Sequence, residues 1–161
     1  MIVSMLAVAV LAGTTALHQD DLRILGDPSW LRDTPVGMSQ SADAPRTVDK
    51  GEQSNIDEAK QVVVRTEGEW TKLWQQHSPD RQRPRVDFSK DMIVGVFMGS
   101  RPTAGYNISI VSTFAKDGNV LVRYQESTPR PGTMAAQVLT FPYHLVAVPT
   151  AAGDVRFEKI Q

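Results

Sequence analysis

Three histidines, His18, His77 and His144, are the side chains of this 161-residue sequence that could exchange protons near neutral pH. No two of them lie four positions apart, so no helix face offers a metal-binding pair and no HExxH motif is present. The chain has no cysteine, which removes disulfides, thiolate metal ligands and thiol nucleophiles together. A Gly-x-Ser-x-Gly elbow is missing, and Gly99 and Gly105 lead into a strand pattern and not into a helix, so they form no phosphate cradle. Carboxylates are scattered singly through loops, with no pair spaced for acid–base work. His144 remains the one candidate general base. It sits in Phe141-Pro142-Tyr143-His144-Leu145, and such large apolar flanks favour a buried imidazole with one backbone partner. The residues thus nominate no catalytic group, no metal site and no cofactor.

Two loops have a different kind of chemistry. Gly99-Ser100-Arg101-Pro102-Thr103-Ala104-Gly105 joins two strong strand patterns, with Pro102 fixing one φ angle and Gly105 permitting a positive one. Ser127-Thr128-Pro129-Arg130-Pro131-Gly132-Thr133 likewise sets an arginine among restricted residues. A stiff loop loses little entropy on binding, and arginine is common at interface hot spots. Arg101, Pro102, Thr103, Gly105 and Tyr106, with Pro129, Arg130, Pro131 and Gly132, are therefore the candidate partner-binding residues. Well-made turns with no partner would read the same way.

These loops need a scaffold. Gln61 to Arg65 (QVVVR) is a β-branched run. Thr66 and Glu69 then form a capping box, and Trp70, Leu73, Trp74 and His77 follow at i, i+3, i+4 and i+7. A helix over 67–77 laid on a sheet is predicted, with the aromatic stripe in the core. Met92 to Met98 (MIVGVFM) is apolar on both faces, as a covered central strand would be. Tyr106, Ile108 and Ile110 alternate with Asn107, Ser109 and Val111, which gives a strand with one partly polar face. Asp117-Gly118-Asn119 signals a tight turn before a strand at Val120–Gln125. Further strands are predicted at Ala135–Phe141, Leu145–Val148 and Val155–Phe157, the last after a turn at Gly153-Asp154. The expected fold is α+β, mostly antiparallel: a sheet, sandwich or small open barrel of six or more strands with one packed helix.

Composition agrees with an ordinary globular domain. Seventeen basic residues face eighteen acidic ones, a balance that leaves no cationic surplus for nucleic acid. Arg81, Arg83 and Arg85 form a local basic run about Pro79 and Pro84 with no aromatic interleaved, which reads as a solvated loop. Ile2 to Gly13 is nearly all apolar, about half the length a membrane-spanning helix needs, and is followed by small and then polar residues. That is the pattern of a secretory signal peptide over 1–16, although no Lys or Arg precedes the run. Thr14 stands where a lipoprotein would carry its acylated cysteine, so cleavage is expected and a stable membrane anchor is not. Residues 17–46 hold no sustained period and read as a flexible linker, leaving 47–161 as the folded domain. The expected location is outside the cytoplasm, in the periplasm or cell envelope.

From residue 60 onward the chain resembles the C-terminal domain of the PrcB family, bacterial envelope proteins tied to a protease complex. The resemblance is carried by Glu69-Trp70 and Leu73-Trp74, by Val94-Gly95-Val96-Phe97, and by Gly99 through Tyr106. Thr128-Pro129-Arg130-Pro131-Gly132 and Pro142-Tyr143-His144-Leu145-Val146 complete it. It implies a non-catalytic subunit that stabilises or regulates a secreted protease. Pro102-Thr103-Ala104-Gly105-Tyr106 also looks like the loop that chagasin-type inhibitors insert into cysteine proteases, with Arg101 and Ala104 departing from that pattern. Two other readings remain open on the sequence: an envelope protein whose partner is not a protease, and a small enzyme using His144.

Overall fold

The computed structural model describes residues 45–132 and 134–161. The expectations for the signal segment and for most of the linker lie outside the described residues. In chain order the elements are β1 (Arg46–Gly51), β2 (Lys60–Val64), α1 (Glu67–His77), β3 (Asp91–Phe97), β4 (Asn107–Lys116), β5 (Asn119–Ser127), β6 (Tyr143–Pro149) and β7 (Val155–Ile160). Four strands form one antiparallel sheet in the order β1-β6-β3-β2, and three form a second in the order β4-β5-β7. β4 and β5 are antiparallel, whereas β5 and β7 run parallel because the chain crosses to the first sheet as β6 between them. The α+β expectation holds, as a sandwich faced by one helix.

The period of two along β3 builds both layers of core. Met92, Val94, Val96 and Met98 meet Ile108, Ile110, Val120 and Val122 of the second sheet, with Val146 and Val148 of β6 beside them. The alternate residues Ile93 and Phe97, with Tyr143 and Leu145 of β6, pack under Trp70, Leu73 and Trp74 of α1. β3 is thus covered on both faces, as its uninterrupted apolar run requires. The helix starts where its sequence says. The Thr66 hydroxyl accepts from the Glu69 N–H at 3.2 Å, and the Glu69 carboxylate accepts from the N–H groups of Arg65 and Thr66 at 2.8 and 3.2 Å. Those contacts hold the Glu69 carboxyl below its ordinary pKa, the Arg65 N–H most of all. The aromatic stripe is core: Trp70, Leu73, Trp74 and His77 are all buried. Both indoles are also tied by hydrogen bonds to the chain that follows the helix, Trp70 Nε1 to the Pro84 carbonyl at 3.0 Å and Trp74 Nε1 to the Arg81 carbonyl at 2.8 Å.

Two strand assignments differ from the sequence reading. Ala135–Phe141 is not a strand. Within it only Thr140 pairs, as an isolated antiparallel bridge with Arg101, and Val138 and Leu139 stand exposed. Apolar content suggested a strand, but this stretch extends neither sheet. Conversely, Arg46–Gly51 forms β1, at the edge of the first sheet, although its RTVDKG sequence carries one large apolar residue. An edge strand needs only one face and one neighbour, so little hydrophobic pattern is required of it.

Candidate functional site

The two arginine-bearing loops meet. β3 ends at Phe97 and the chain turns at Gly99, whose φ is +73° and whose Cα lies so close to the 57–59 backbone that a β-carbon would stand 2.6 Å from the Asp57 carbonyl oxygen. The Ser100 N–H donates to that same oxygen at 2.9 Å. Arg101 then exchanges backbone hydrogen bonds with Thr140, at 2.7 and 2.9 Å, and the Ala104 N–H donates to the Ala136 carbonyl at 3.0 Å. The Thr140 hydroxyl donates to the Thr103 carbonyl at 3.0 Å. At Gly105 the φ is +93°, and a β-carbon there would lie 3.2 Å from Pro129 Cγ. The first loop is therefore clamped along its length against the segment 129–140.

Each predicted residue can be placed on this platform. The Arg101 guanidinium lies 5.9 Å from the centre of the Tyr106 ring and donates to the Ser100 carbonyl at 3.1 Å. Pro102 and Gly105 are exposed, Thr103, Tyr106 and Pro129 half-buried. Arg130, Pro131 and Gly132 are exposed, and Gly132 takes a positive φ of +81°. Pro129 is where the second loop touches the first. Residues the sequence reading passed over complete the surface: Met134 is fully exposed, and Val138 and Leu139 are 46% and 55% exposed. Their signal was available, since apolar residues just after a Pro-Arg-Pro-Gly turn need not enter a sheet.

His144 is architectural. Its Nδ1 accepts the Ile110 N–H at 2.8 Å, tying β6 to β4 across the two sheets, and its Nε2 lies 2.9 Å from the Thr47 hydroxyl of β1. An acceptor Nδ1 means that the proton sits on Nε2 and the ring is neutral. Burial, with Lys50 adding to it, lowers its pKa to about 4. A histidine whose pKa is depressed by folding contributes stability above its unfolded value of about 6.5, and that contribution is lost as pH falls toward the folded value. Between about pH 6.5 and 4, His144 alone should cost the domain as much as about 3 kcal/mol. Urea unfolding across that range checks the loss. Nitrogen-detected NMR showing Nδ1 protonated at pH 6 would contradict the assignment.

A second polar cluster lies under the helix end. Asp49 of β1 receives Arg81 in a two-pronged contact, both prongs at 3.0 Å, and also the Tyr143 hydroxyl at 3.0 Å and His77 Nε2 at 3.3 Å. His77 Nδ1 faces the Ser54 hydroxyl at 2.8 Å, and Ser54 accepts the Ile56 N–H at 3.1 Å. One proton arrangement satisfies every member: Ile56 N–H to Ser54, Ser54 O–H to a neutral His77, and His77 Nε2–H to Asp49. Burial lowers the His77 pKa, with Asp49 partly opposing. Burial would raise Asp49, but the hydrogen bonds from Arg81, His77 and Tyr143 outweigh it and hold the carboxyl below its ordinary value. The serine–histidine–aspartate order resembles a nucleophilic triad. Yet Ser54 is 5% exposed, and the nearby groove of about 410 Å³ is lined by Asn55–Glu58, Lys60 and Gln76 without it. The Ser54 hydroxyl is thus buried and does not line that groove. The cluster ties β1, α1 and β6 together. It also corrects the reading of the arginine run: Arg81 grips Asp49 and lies 5.6 Å from the Trp74 ring centre, and Arg83 pairs with Glu67.

Residues 92–149 match the family described as PrcB C-terminal. The PrcB C-terminal match spans β3, the first loop, β4, β5, the second loop and β6. It therefore contains both halves of the clamped platform, and it bears out the resemblance over that stretch. No match to chagasin-type inhibitors accompanies it. Neither the curated proteins nor the solved structures include a match to the chain.

Proposed function

We propose that the domain is a non-catalytic binding module that associates with an exported or envelope protease and stabilises or regulates it. The observation that supports this reading is the joining of loops 99–106 and 127–133 into one clamped surface, inside the stretch that matches PrcB C-terminal. The family's printed name connects it with PrcB, and a protein tied to a protease complex needs a rigid contact surface more than it needs a reaction centre. Both histidines that sequence could have offered to catalysis within 47–161 are buried and hydrogen-bonded into the frame. In this reading the apolar N-terminal run exports the chain, and the module acts in the periplasm or cell envelope.

Arg101→Ala separates recognition from architecture. Its clamp to Thr140 is made by backbone atoms, which the substitution leaves in place. The side chain contributes a long contact with Tyr106 and one hydrogen bond to its neighbour's carbonyl. Stability should change by no more than about 0.5–1 kcal/mol, while binding to the purified protease partner should weaken by at least about 1 kcal/mol. Gly105→Val is the companion variant: a β-branched residue at φ +93° and against Pro129 should damage loop, stability and binding together. Thermal unfolding beside retention of the protease from envelope extract reads both. Retention of non-protease proteins alone would favour an envelope protein with a different partner.

A further inference from the structure

Among the described residues β1 and β2 border the first sheet, and β4 and β7 border the second. An open strand edge is a template for pairing with another chain, and native edges carry devices against it. β1 is interrupted by a bulge between Thr47 and Asp49, and the Lys50 N–H is taken by Asp49 Oδ1 at 3.1 Å. β4 is bulged between Ile110 and Ser112, and its Ile110 N–H is bonded to His144 Nδ1. β7 sets Arg156, Glu158 and Lys159 in a strand of six residues. β2 has none of these devices. Lys60-Gln61-Val62-Val63-Val64 pairs with β3 residue for residue, without a bulge, and holds no proline and a single charge.

The registers fix which way its backbone groups point. In an antiparallel ladder alternate residues turn their N–H and C=O to the same neighbour. The Met98 N–H donates to the Pro142 carbonyl at 2.8 Å, so Met98, Val96 and Val94 face β6. Phe97, Gly95 and Ile93 therefore face β2, where their partners are Lys60, Val62 and Val64. Gln61 and Val63 are left with N–H and C=O turned away from the sheet, and among the described residues no group bonds to them. Past Val64 the edge closes, since the Arg65 N–H is taken by the Glu69 carboxylate at 2.8 Å.

We propose that this open window is closed by the same window of a second copy of the chain, the two β2 strands running antiparallel about Val62. In that register Gln61 of each copy exchanges both backbone hydrogen bonds with Val63 of the other, and every free group of both windows is used. Lys60 comes opposite Val64 of the other copy, so no like charges meet within the paired strands. Any extended segment could use the hydrogen bonds, but this chain also supplies matching side chains on both faces. Gln61 and Val63 share the face toward the second sheet, where Val63 packs on the core and the Gln61 amide donates to the Tyr124 hydroxyl at 3.1 Å. Beside that bond lies a groove of about 260 Å³ floored by Val96, Phe97 and Ile108. The side chain brought opposite Gln61 is a valine, which falls at the mouth of that groove. On the other face Val62, half-buried under α1, meets Val62 of the second copy. Charges at the ends of the strand are of both signs, Asp57, Glu58 and Lys60 at one and Arg65, Glu67 and Glu69 at the other, and the pairing draws on none of them. It is also separate from the binding-module reading, because β2 lies outside loops 99–106 and 127–133; a paired molecule would carry the loop platform twice.

The test uses the purified full chain. Sedimentation equilibrium from about 5 to 500 μM should show a monomer in exchange with a dimer. Gln61→Pro removes an outward N–H and leaves the ladder to β3 in place. It should weaken the dimer at least about tenfold while shifting Tm by no more than about 5 °C. Val62→Pro removes an inward N–H instead and should lower Tm well beyond that. A second measurement reads the register. The chain has no cysteine, so Val62→Cys carries a single thiol. A pair of this kind, opposed without hydrogen bonds between its two residues, brings its Cα atoms to about 4.5 Å, within reach of a disulfide. Mild oxidation should therefore join Val62→Cys into a dimer at least about tenfold faster than Gln75→Cys, whose thiol would stand exposed on α1. A chain that stays monomeric to about 500 μM, a dimer that Gln61→Pro leaves intact, or Val62→Cys that joins no faster than Gln75→Cys would each overturn the pairing. Should Gln61→Pro fail to fold, the two cysteine variants decide alone. Gln61 and Val63 amides protected from exchange only when another protein is added would assign the edge to a partner's strand and not to a second copy.

Discussion

Trp70→Ala is expected to lower the stability of the domain by about 3–5 kcal/mol, the range for truncating a fully buried aromatic. Trp70 is 0% exposed, packs edge-on to Trp74 at 5.2 Å between ring centres, and donates its indole N–H to the Pro84 carbonyl. Removal opens a cavity between α1 and β3 and leaves that carbonyl without its partner. The loss should also free the segment after the helix, since Trp70 and Trp74 hold it at Pro84 and Arg81. Urea unfolding at pH 7 reads the loss, and faster proteolysis near Arg81–Arg85 reads the loosened segment. A change under about 1 kcal/mol would mean that the helix contributes little to the core, which its contacts with Ile93 and Leu145 contradict.

Asp49→Ala should follow closely, at about 2–3 kcal/mol, because it removes the acceptor of both the buried His77 Nε2–H and the Tyr143 O–H, leaving Tyr143 only the contact from Arg81. Arg81 softens the loss, since its side chain is half-exposed and can turn to water. Arg81→Ala should therefore cost less than Asp49→Ala, leaving an aspartate that keeps two other donors. The pH dependence gives an independent check. Asp49 has a folded pKa below its ordinary value of 3.8, so its stabilising contribution is complete above that value and fades as pH falls through the folded pKa. The gap between wild type and Asp49→Ala should hardly change from pH 7 to 5 and should narrow as pH falls below 3.8. A gap that widened on acidification would refute the assignment of the carboxylate as the cluster's anion.

Much of the frame was legible in the sequence because its signals were local. The capping box, the i, i+3, i+4, i+7 stripe and the two-faced apolar run of β3 each state their environment within a dozen residues. The polar cluster was not legible for the opposite reason. Asp49 meets its histidine, arginine and tyrosine across separations of 28, 32 and 94 positions, and no spacing rule links them. Arg81 looked solvated because its neighbours are prolines and arginines, while the group that binds it lies on another strand. His144 was placed correctly as a buried ring, since its apolar flanks say so, but its tie to Ile110 required knowing that β4 crosses over β6. At the loops, the stiffness of each was readable from Pro102, Gly105, Pro129 and Pro131. That they touch was not, because the Gly105–Pro129 contact depends on the pairing of β4 with β5. Ala135–Phe141 was misassigned as a strand because apolar content alone does not distinguish a paired strand from an exposed segment with a single bridge.

The crossing of the chain between the sheets also sets the order in which the domain can be assembled. β1 and β3 both wait for β6, which is made after them, and β5 waits for β7, which follows β6. Until residue 149 has emerged, the first sheet lacks the strand that sits between β1 and β3, and the covered face of β3 has no complete floor. Only the β2–β3 and β4–β5 pairings can form early, from segments close enough in sequence to meet cheaply. The two sheets therefore stay largely open until β6 and β7 have been made. Through that interval its apolar strands lack their partners, the condition under which unfinished chains aggregate.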